Sequence, residues 1–178
     1  MKTLVIAGLP ANNVRLKLYH FEQRGSTLIH KKHFNDQHTI DTWIYAAKTP
    51  TPYKPSKELQ MILDTLHPLK REDMFLGHVV AAVRIRNVTY AEATILRDRL
   101  CPGVHLCKSA RQLLYYEEIV PLLPIRVHKA DLTSGGHRQT LPISTAFRTK
   151  CLEALKIAQG IKLPILCLNH HFPYFNIS

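Results

Sequence analysis

The first part of the chain alternates apolar and polar residues in the way that β-strands do. Residues 3–8 form a short apolar run, which predicts a first strand. Residues 14–18 alternate strictly, and a turn signal separates them from a second apolar stretch at 27–33. We therefore expect residues 14–33 to form a β-hairpin.

The residues after the predicted hairpin have the spacing of helices. Apolar residues recur every three or four positions over 36–47, which predicts a helix. Residues 49–55 contain three prolines and predict an extended connector. Ser56 is a suitable N-cap for a second helix, and His67-Pro68 ends this helix.

Strand and helix patterns alternate through the second half of the chain. Capping boxes are indicated at Thr89–Glu92 and at Ser109–Gln112, and Ser144 can cap a last helix. Residues 131–143 are typical of a loop. The patterns predict strands at 75–86, 104–107, 125–128 and 163–168, and helices at 90–100, 110–120 and 145–160, with a helix as the alternative at 75–86.

This order of elements predicts an α/β protein, with α+β as the alternative. We expect one basic domain over residues 1–178, whose mixed sheet begins with an antiparallel meander and is covered by about five helices. The element order loosely resembles that of ribonuclease-H-like proteins. This likeness concerns layout and implies no function by itself.

The net charge of the protein indicates the class of its partner. Lys and Arg number 24 against 13 acidic residues, which gives a net charge of +11, and 11 His are also present. A surplus of this size attracts polyanions, and nucleic acid is the usual partner. The alternative is that the cations are spread evenly and keep the protein soluble.

The predicted strands would place many of these cations on one sheet face, and others would flank the 131–143 loop or lie on the last helix. Tyr19 and Tyr53 could add stacking for unpaired bases. The residues predicted to hold RNA or DNA phosphates are Arg15, Lys17, Lys31, Lys32, His33, Arg84, Arg86, Arg126, Lys129, Arg138, Arg148 and Lys150.

Two weaker constellations could carry chemistry. His128 and His137 flank the Gly135–Gly136 loop and could move protons in metal-independent phosphodiester cleavage, or the loop could be a plain surface loop. The first strand ends without an acidic residue, which argues against a two-metal nuclease.

A zinc site is the second weak constellation. Cys101, His105 and Cys107 have suitable ligand chemistry, but their spacing is unusual, and buried thiols acting as small apolar residues are the preferred interpretation. We expect no cofactor. The motifs of P-loop, dinucleotide-binding and serine-hydrolase proteins are not present in the sequence.

The favoured hypothesis is a non-catalytic nucleic-acid-binding subunit or accessory factor of a nucleoprotein assembly, in contact with its other subunits. The alternatives are the histidine nuclease and a viral or phage protein that binds or inhibits an acidic protein partner. Four scattered cysteines indicate reduced thiols, so we expect a cytoplasmic location. No stretch approaches the ~18 apolar residues of a membrane span, so we expect no membrane partner. The aromatic tail, residues 169–178, is expected to dock on the domain itself.

Overall fold

The computed structural model describes residues 1–135 and 139–160. Five strands and four helices lie in this part of the chain. In chain order they are β1 (Lys2–Ile6), α1 (Gly8–Arg15), β2 (Phe21–Arg24), β3 (Thr39–Ala46), α2 (Lys57–Asp64), β4 (His78–Asn87), α3 (Tyr90–Leu100), β5 (Gln112–Arg126) and α4 (Thr145–Gly160).

The strands form one mixed sheet that curls into a half-barrel, in the order β1-β3-β4-β5-β2. β1 pairs with β3 in parallel, and every other pair is antiparallel. The predicted mixed α/β class is confirmed. The predicted N-terminal meander is wrong, because α1 follows β1 and the next strand, β2, lies at the opposite edge. The ribonuclease-H-like order and the fifth helix are not confirmed.

Two strands were predicted as helices because both of their faces are buried. In β3, Trp43 and Ile44 are adjacent and fully buried, and they belong to the two cores on opposite sides of the sheet. A strand covered on both faces is apolar at nearly every position, so it also satisfies the helical spacing. The helix predicted at 36–47 is therefore wrong.

β5 replaces the helix predicted at 110–120 and the first part of the strand predicted at 125–128 with one strand of 15 residues. Its aromatic and β-branched residues suit a strand, and it pairs with β4 along most of its length. Gln112, predicted to complete a capping box, instead accepts hydrogen bonds from the backbone of Leu28 and Ile29. The helix predicted at 110–120 is wrong, and residues 104–107 form no strand.

The helices cover both faces of the sheet. The larger core lies between one face and residues of α1, α2 and α3, and α4 packs on the other face through Phe147, Cys151 and Leu155. Burial raises the pKa of Cys151 to about 12, which marks it as an inert core thiol. Every helix in residues 1–135 and 139–160 is too short or too polar to cross a membrane.

α1 ends two residues into the predicted hairpin, and residues 16–20 form neither helix nor strand. It begins where Gly8 comes close to the chain after β3, and a Cβ at this position would overlap the Leu76 side chain. The Gly8 N–H donates to the carbonyl of Thr49 at 2.9 Å. The hairpin predicted at 14–33 is wrong, and only the short β2 is a strand within it.

The remaining helix starts follow the predicted capping. The Ser56 hydroxyl accepts from the backbone of Leu59, and Thr89 and Glu92 form a complete capping box. The Ser144 hydroxyl accepts from the backbone of Phe147 at 3.1 Å. Residues 49–55 contain no helix or strand. The predicted strand at 163–168 and the aromatic tail at 169–178 lie outside the described residues.

Candidate functional site

An acid and a base lie side by side on β2. Glu22 and Arg24 are two residues apart on this strand, so their side chains lie on the same face. The Nε of Arg24 is 2.6 Å from Oε1 of Glu22. The same guanidinium donates through Nη2 to the carbonyl oxygen of Val5 on β1, at 3.3 Å. The pair therefore spans the seam between the two edge strands of the half-barrel.

Glu22 is buried, with only 7% of its surface exposed. The Tyr116 hydroxyl donates to its Oε2 at 3.2 Å. Burial raises the pKa of Glu22, and Arg24 and the Tyr116 hydroxyl oppose this rise. Burial also raises the pKa of Tyr19 and Tyr116 beside it, so both phenols stay neutral. A buried carboxyl with a perturbed pKa in a cavity wall is a typical candidate for a functional site.

The Glu22–Arg24 pair forms part of the wall of a cavity of about 370 Å³, which we call the seam pocket. This volume falls in the range of about 300–1,000 Å³ that is usual for small-ligand sites. The β2 end, the start of α2, the loop at 107–110 and the 139–141 segment surround it. Its lining residues are Glu22, Gln23, Arg24, Gly25, Ser26, Ser56, Glu58, Leu59, Ile62, Cys107, Ser109, Ala110 and Gln139.

Side-chain amides hold the walls of the seam pocket in place. Gln23 donates to the carbonyl of His105 at 3.0 Å and accepts from the backbone N–H of Cys107 at 2.6 Å. Gln112 holds Leu28 and Ile29, just beyond the β2 end, through both atoms of its amide. Fixed walls of this kind reduce the conformational entropy that the protein loses when a ligand binds.

One group of predicted cations stays together near the start of β1. Lys31, Lys32 and His33 form a short 3₁₀ turn, and the charge of Lys2 is the largest cause that lowers the pKa of His33. Lys2 and His33 also line a cavity of about 300 Å³ together with the N-terminal residue. We call Lys2 and residues 31–33 the N-terminal cation cluster.

The two predicted cations on β4 are paired with acidic residues. Nε of Arg84 bonds Oδ1 of Asp41 at 3.0 Å. Arg86 lies 3.4 Å from Glu117 and 3.6 Å from Glu92. Acidic side chains therefore offset the charge of both arginines, and Asp41, the partner of Arg84, lines the same cavity as Lys2 and His33.

The other predicted cations lie around α1 and α4. Arg15 donates to the carbonyl of Leu122 at 3.3 Å, and Lys150 lies 3.9 Å from Asp131. Lys17 follows α1 with a φ of 59° and is exposed. Arg126, Lys129 and Arg148 are exposed on β5, the turn after it and α4, and Arg138 lies outside the described residues.

The two weak constellations are not assembled by the described residues. His128 precedes a 3₁₀ turn, where its N–H donates to Asp131, and His137 lies outside the described residues, so the nuclease hypothesis stays untested. Cys101 is buried, and the Sγ of Cys107 contacts the Ser109 hydroxyl at 3.1 Å. Within residues 1–135 and 139–160, no three His, Cys, Asp or Glu side chains form a metal-binding group.

Comparison with known proteins adds no assignment, since no family model matches the chain and no curated protein matches it significantly. Sequence reasoning missed the seam pocket. The signal that could have revealed it is Glu22-Gln23-Arg24, an acid and a base on the same face of a strand that ends at Gly25.

Proposed function

We propose that the protein binds single-stranded nucleic acid and receives one unpaired base in the seam pocket. The observation that carries this proposal is the Glu22–Arg24 pair in the pocket wall. A carboxylate accepts hydrogen bonds from base amino groups, and a guanidinium donates to base carbonyl and ring nitrogen atoms. Placed side by side, the two groups match the mixed donor and acceptor edge of a nucleobase.

The charge of the protein supports the same ligand class. A net charge of +11 favours a polyanion over a neutral metabolite. The segment that leaves the pocket at Gly25 and Ser26 leads to the 3₁₀ turn of the N-terminal cation cluster. Lys31 and Lys32 are exposed there and can contact phosphates that flank the bound base.

Recognition of an extruded base is typical of proteins that read single strands. Unstacked bases expose their Watson–Crick edges, and proteins bind those edges with hydrogen bonds in pockets. The proposal requires no catalysis and fits the expected role of a binding subunit in a nucleoprotein assembly.

Binding of fluorescein-labelled single-stranded RNA and DNA, followed by anisotropy over a range of salt concentrations, tests this function. We expect affinity to fall steeply with salt, since several phosphates are neutralised. Glu22→Gln replaces a carboxylate, which only accepts hydrogen bonds, with an amide that both donates and accepts them. It should weaken binding about tenfold, equivalent to about 1.4 kcal/mol.

The matched control is Glu92→Gln, which makes the same substitution at an exposed residue on α3. It should leave affinity unchanged, and circular dichroism should show that both variants fold. Absence of binding at low salt, or equal loss of affinity in the two variants, would contradict the proposed function.

A further inference from the structure

A second cavity lies between the distal half of β5 and α4, far along β5 from the strand's contact with β2. Its volume is about 660 Å³, and we call it the α4 cleft. The residues that line it are Arg15, Pro121, Leu122, Leu123, Pro124, Ile125, Arg126, His128, Lys150, Ala154, Ile157 and Ala158.

The α4 cleft exposes large aliphatic side chains. Leu123 is 80% exposed and Ile157 is 62% exposed, and both line the same cavity. Ala154 and Ala158 on α4 leave room between them because their side chains are small. Exposed apolar side chains that share one cavity, with polar residues around them, mark an interaction surface.

The edge of β5 in this region does not favour strand addition. β2 pairs with β5 only over 112–115, so the β5 edge beyond has no partner strand among the described residues. Pro121 and Pro124 lack the N–H that a ladder needs, and the carbonyl of Leu122 already accepts from Arg15. A partner in the cleft therefore has to be held by side chains.

Positive charge surrounds the apolar floor of the α4 cleft. Arg15, Arg126 and Lys150 line it beside the imidazole of His128, and the three cations come from α1, β5 and α4. The acidic side chain of Asp131 is 3.9 Å from Lys150 and offsets only part of this charge. The surface is therefore complementary to a segment that carries both aliphatic and acidic residues.

We propose that the α4 cleft binds an acidic amphipathic segment of a partner protein, at a site separate from the seam pocket. The described residues that line the cleft include no acidic side chain, so a base would find no carboxylate acceptor there of the kind that Glu22 offers in the seam pocket. Aliphatic residues of such a segment can pack on the apolar floor while its acidic residues contact the surrounding cations, as amphipathic helices do in apolar grooves.

Selection of a random peptide library displayed on phage against the full chain tests this proposal. We expect the selected peptides to combine leucine-like residues with Asp or Glu, and to bind in solution. The double variant Leu123→Ser and Ile157→Ser should weaken binding of a selected peptide at least tenfold. Arg126→Glu should weaken it by a similar factor.

Ile95→Ser supplies the matched control, because Ile95 on α3 is 71% exposed and does not line the cleft. It should bind the selected peptide as the unmodified chain does. Selection of peptides without acidic residues, equal binding by the cleft variants, or no selection at all would overturn the proposal.

Other occupants of the α4 cleft would give different experimental results. A single-stranded oligonucleotide that displaces the selected peptide would assign the α4 cleft to nucleic acid. A dimer that sedimentation velocity detects, and that the double variant dissociates, would assign it to a second copy of the chain. A synthetic peptide of residues 161–178 that displaces the selected peptide at lower concentration would assign it to the chain itself. Each of these results would overturn the proposal.

Discussion

The guanidinium of Arg24 on β2 donates to the carbonyl oxygen of Val5 on β1, although these strands lie at opposite ends of the sheet order. The contact shows that the sheet curls until its two edges approach each other. Arg24 also pairs with Glu22, so one side chain both bridges the seam and forms part of the pocket wall. Fold closure and the proposed ligand recognition therefore depend on the same residue.

The first prediction concerns the pH dependence of stability at Glu22. Its pKa is raised by burial above the usual 4.5, so the folded protein retains this proton to a higher pH than the unfolded chain does. The contribution of Glu22 to stability therefore falls as pH rises from 4.5 through the folded pKa. Urea unfolding between pH 4 and 8 should show the free energy of unfolding decreasing relative to that of Glu22→Gln.

Glu92 is the control of opposite sign. The backbone and hydroxyl of Thr89 lower the pKa of Glu92, so its contribution to stability is lost as pH falls through the folded pKa, below 4.5. The difference in free energy of unfolding between the unmodified chain and Glu92→Gln should therefore be constant above pH 4.5 and change only at this acidic end. A constant difference between the unmodified chain and Glu22→Gln at all pH values would contradict the burial of the Glu22 carboxyl.

The second prediction concerns the N-terminal cation cluster. Lys2 is the first cause of the lowered pKa of His33, followed by burial and Lys32. Lys2→Gln should raise the pKa of His33 towards the usual 6.5, as measured by NMR titration of the imidazole. Lys156→Gln, on the exposed surface of α4, should not change it. An unchanged pKa in Lys2→Gln would place the two side chains farther apart than the structure does.

The third prediction concerns a buried amide on α1. Asn13 donates to the carbonyls of Leu9 and His67, and its Oδ1 accepts from the backbone N–H of His67 at 3.0 Å. Asn13→Ala removes the side-chain partner of the His67 N–H and carbonyl and should lower the free energy of unfolding by about 1–3 kcal/mol. Asn87→Ala, at the exposed end of β4, should change it by less than about 0.5 kcal/mol. Equal effects in chemical unfolding would argue against this contact.

The fourth prediction compares two arginines on β4. Arg84 pairs with buried Asp41, whereas Arg86 pairs with the more exposed Glu92 and Glu117. Arg84→Met leaves a buried carboxylate without its guanidinium and should lower the free energy of unfolding by about 3 kcal/mol. Arg86→Met removes more exposed pairs and should lower it by about 1 kcal/mol or less. A larger loss in Arg86→Met would contradict the burial of the Arg84–Asp41 pair.

Local signals predicted the elements whose ends are capped by their own side chains. Ser56, Thr89 and Ser144 accept the hydrogen bonds expected at helix starts, and the apolar face of α4 is buried as its spacing predicts. These features depend on residues close in sequence. They can therefore be derived without knowledge of the tertiary fold.

Elements that depend on distant contacts were not predictable in this way. α1 buries Asn12 and Asn13, whose amides bond the backbone of residues 67 and 75, so its buried side lacks an apolar pattern. The apolar residues Leu16 and Leu18, which suggested a strand, are substantially exposed beyond the helix. Tertiary hydrogen bonds, rather than hydrophobic periodicity, determine this element.

The candidate site also combines features that the sequence predicts with features that depend on distant contacts. The net charge of the sequence predicts a polyanionic partner. It does not predict which cations act together, because Arg84 and Arg86 pair with acidic residues on β3, β5 and α3. The seam pocket needs the curl of the whole sheet, which brings β2 towards β1. No local pattern around Glu22 specifies this curl.

The most direct measurement is an NMR titration of ¹⁵N-labelled protein with a short single-stranded oligonucleotide, following the Nε–H of Arg24 and the side-chain amide of Gln23. We expect both signals to shift on binding, together with the backbone amides of Gly25 and Ser26. Shifts confined to surface lysines, or no shift at saturating oligonucleotide, would contradict recognition of a base in the seam pocket.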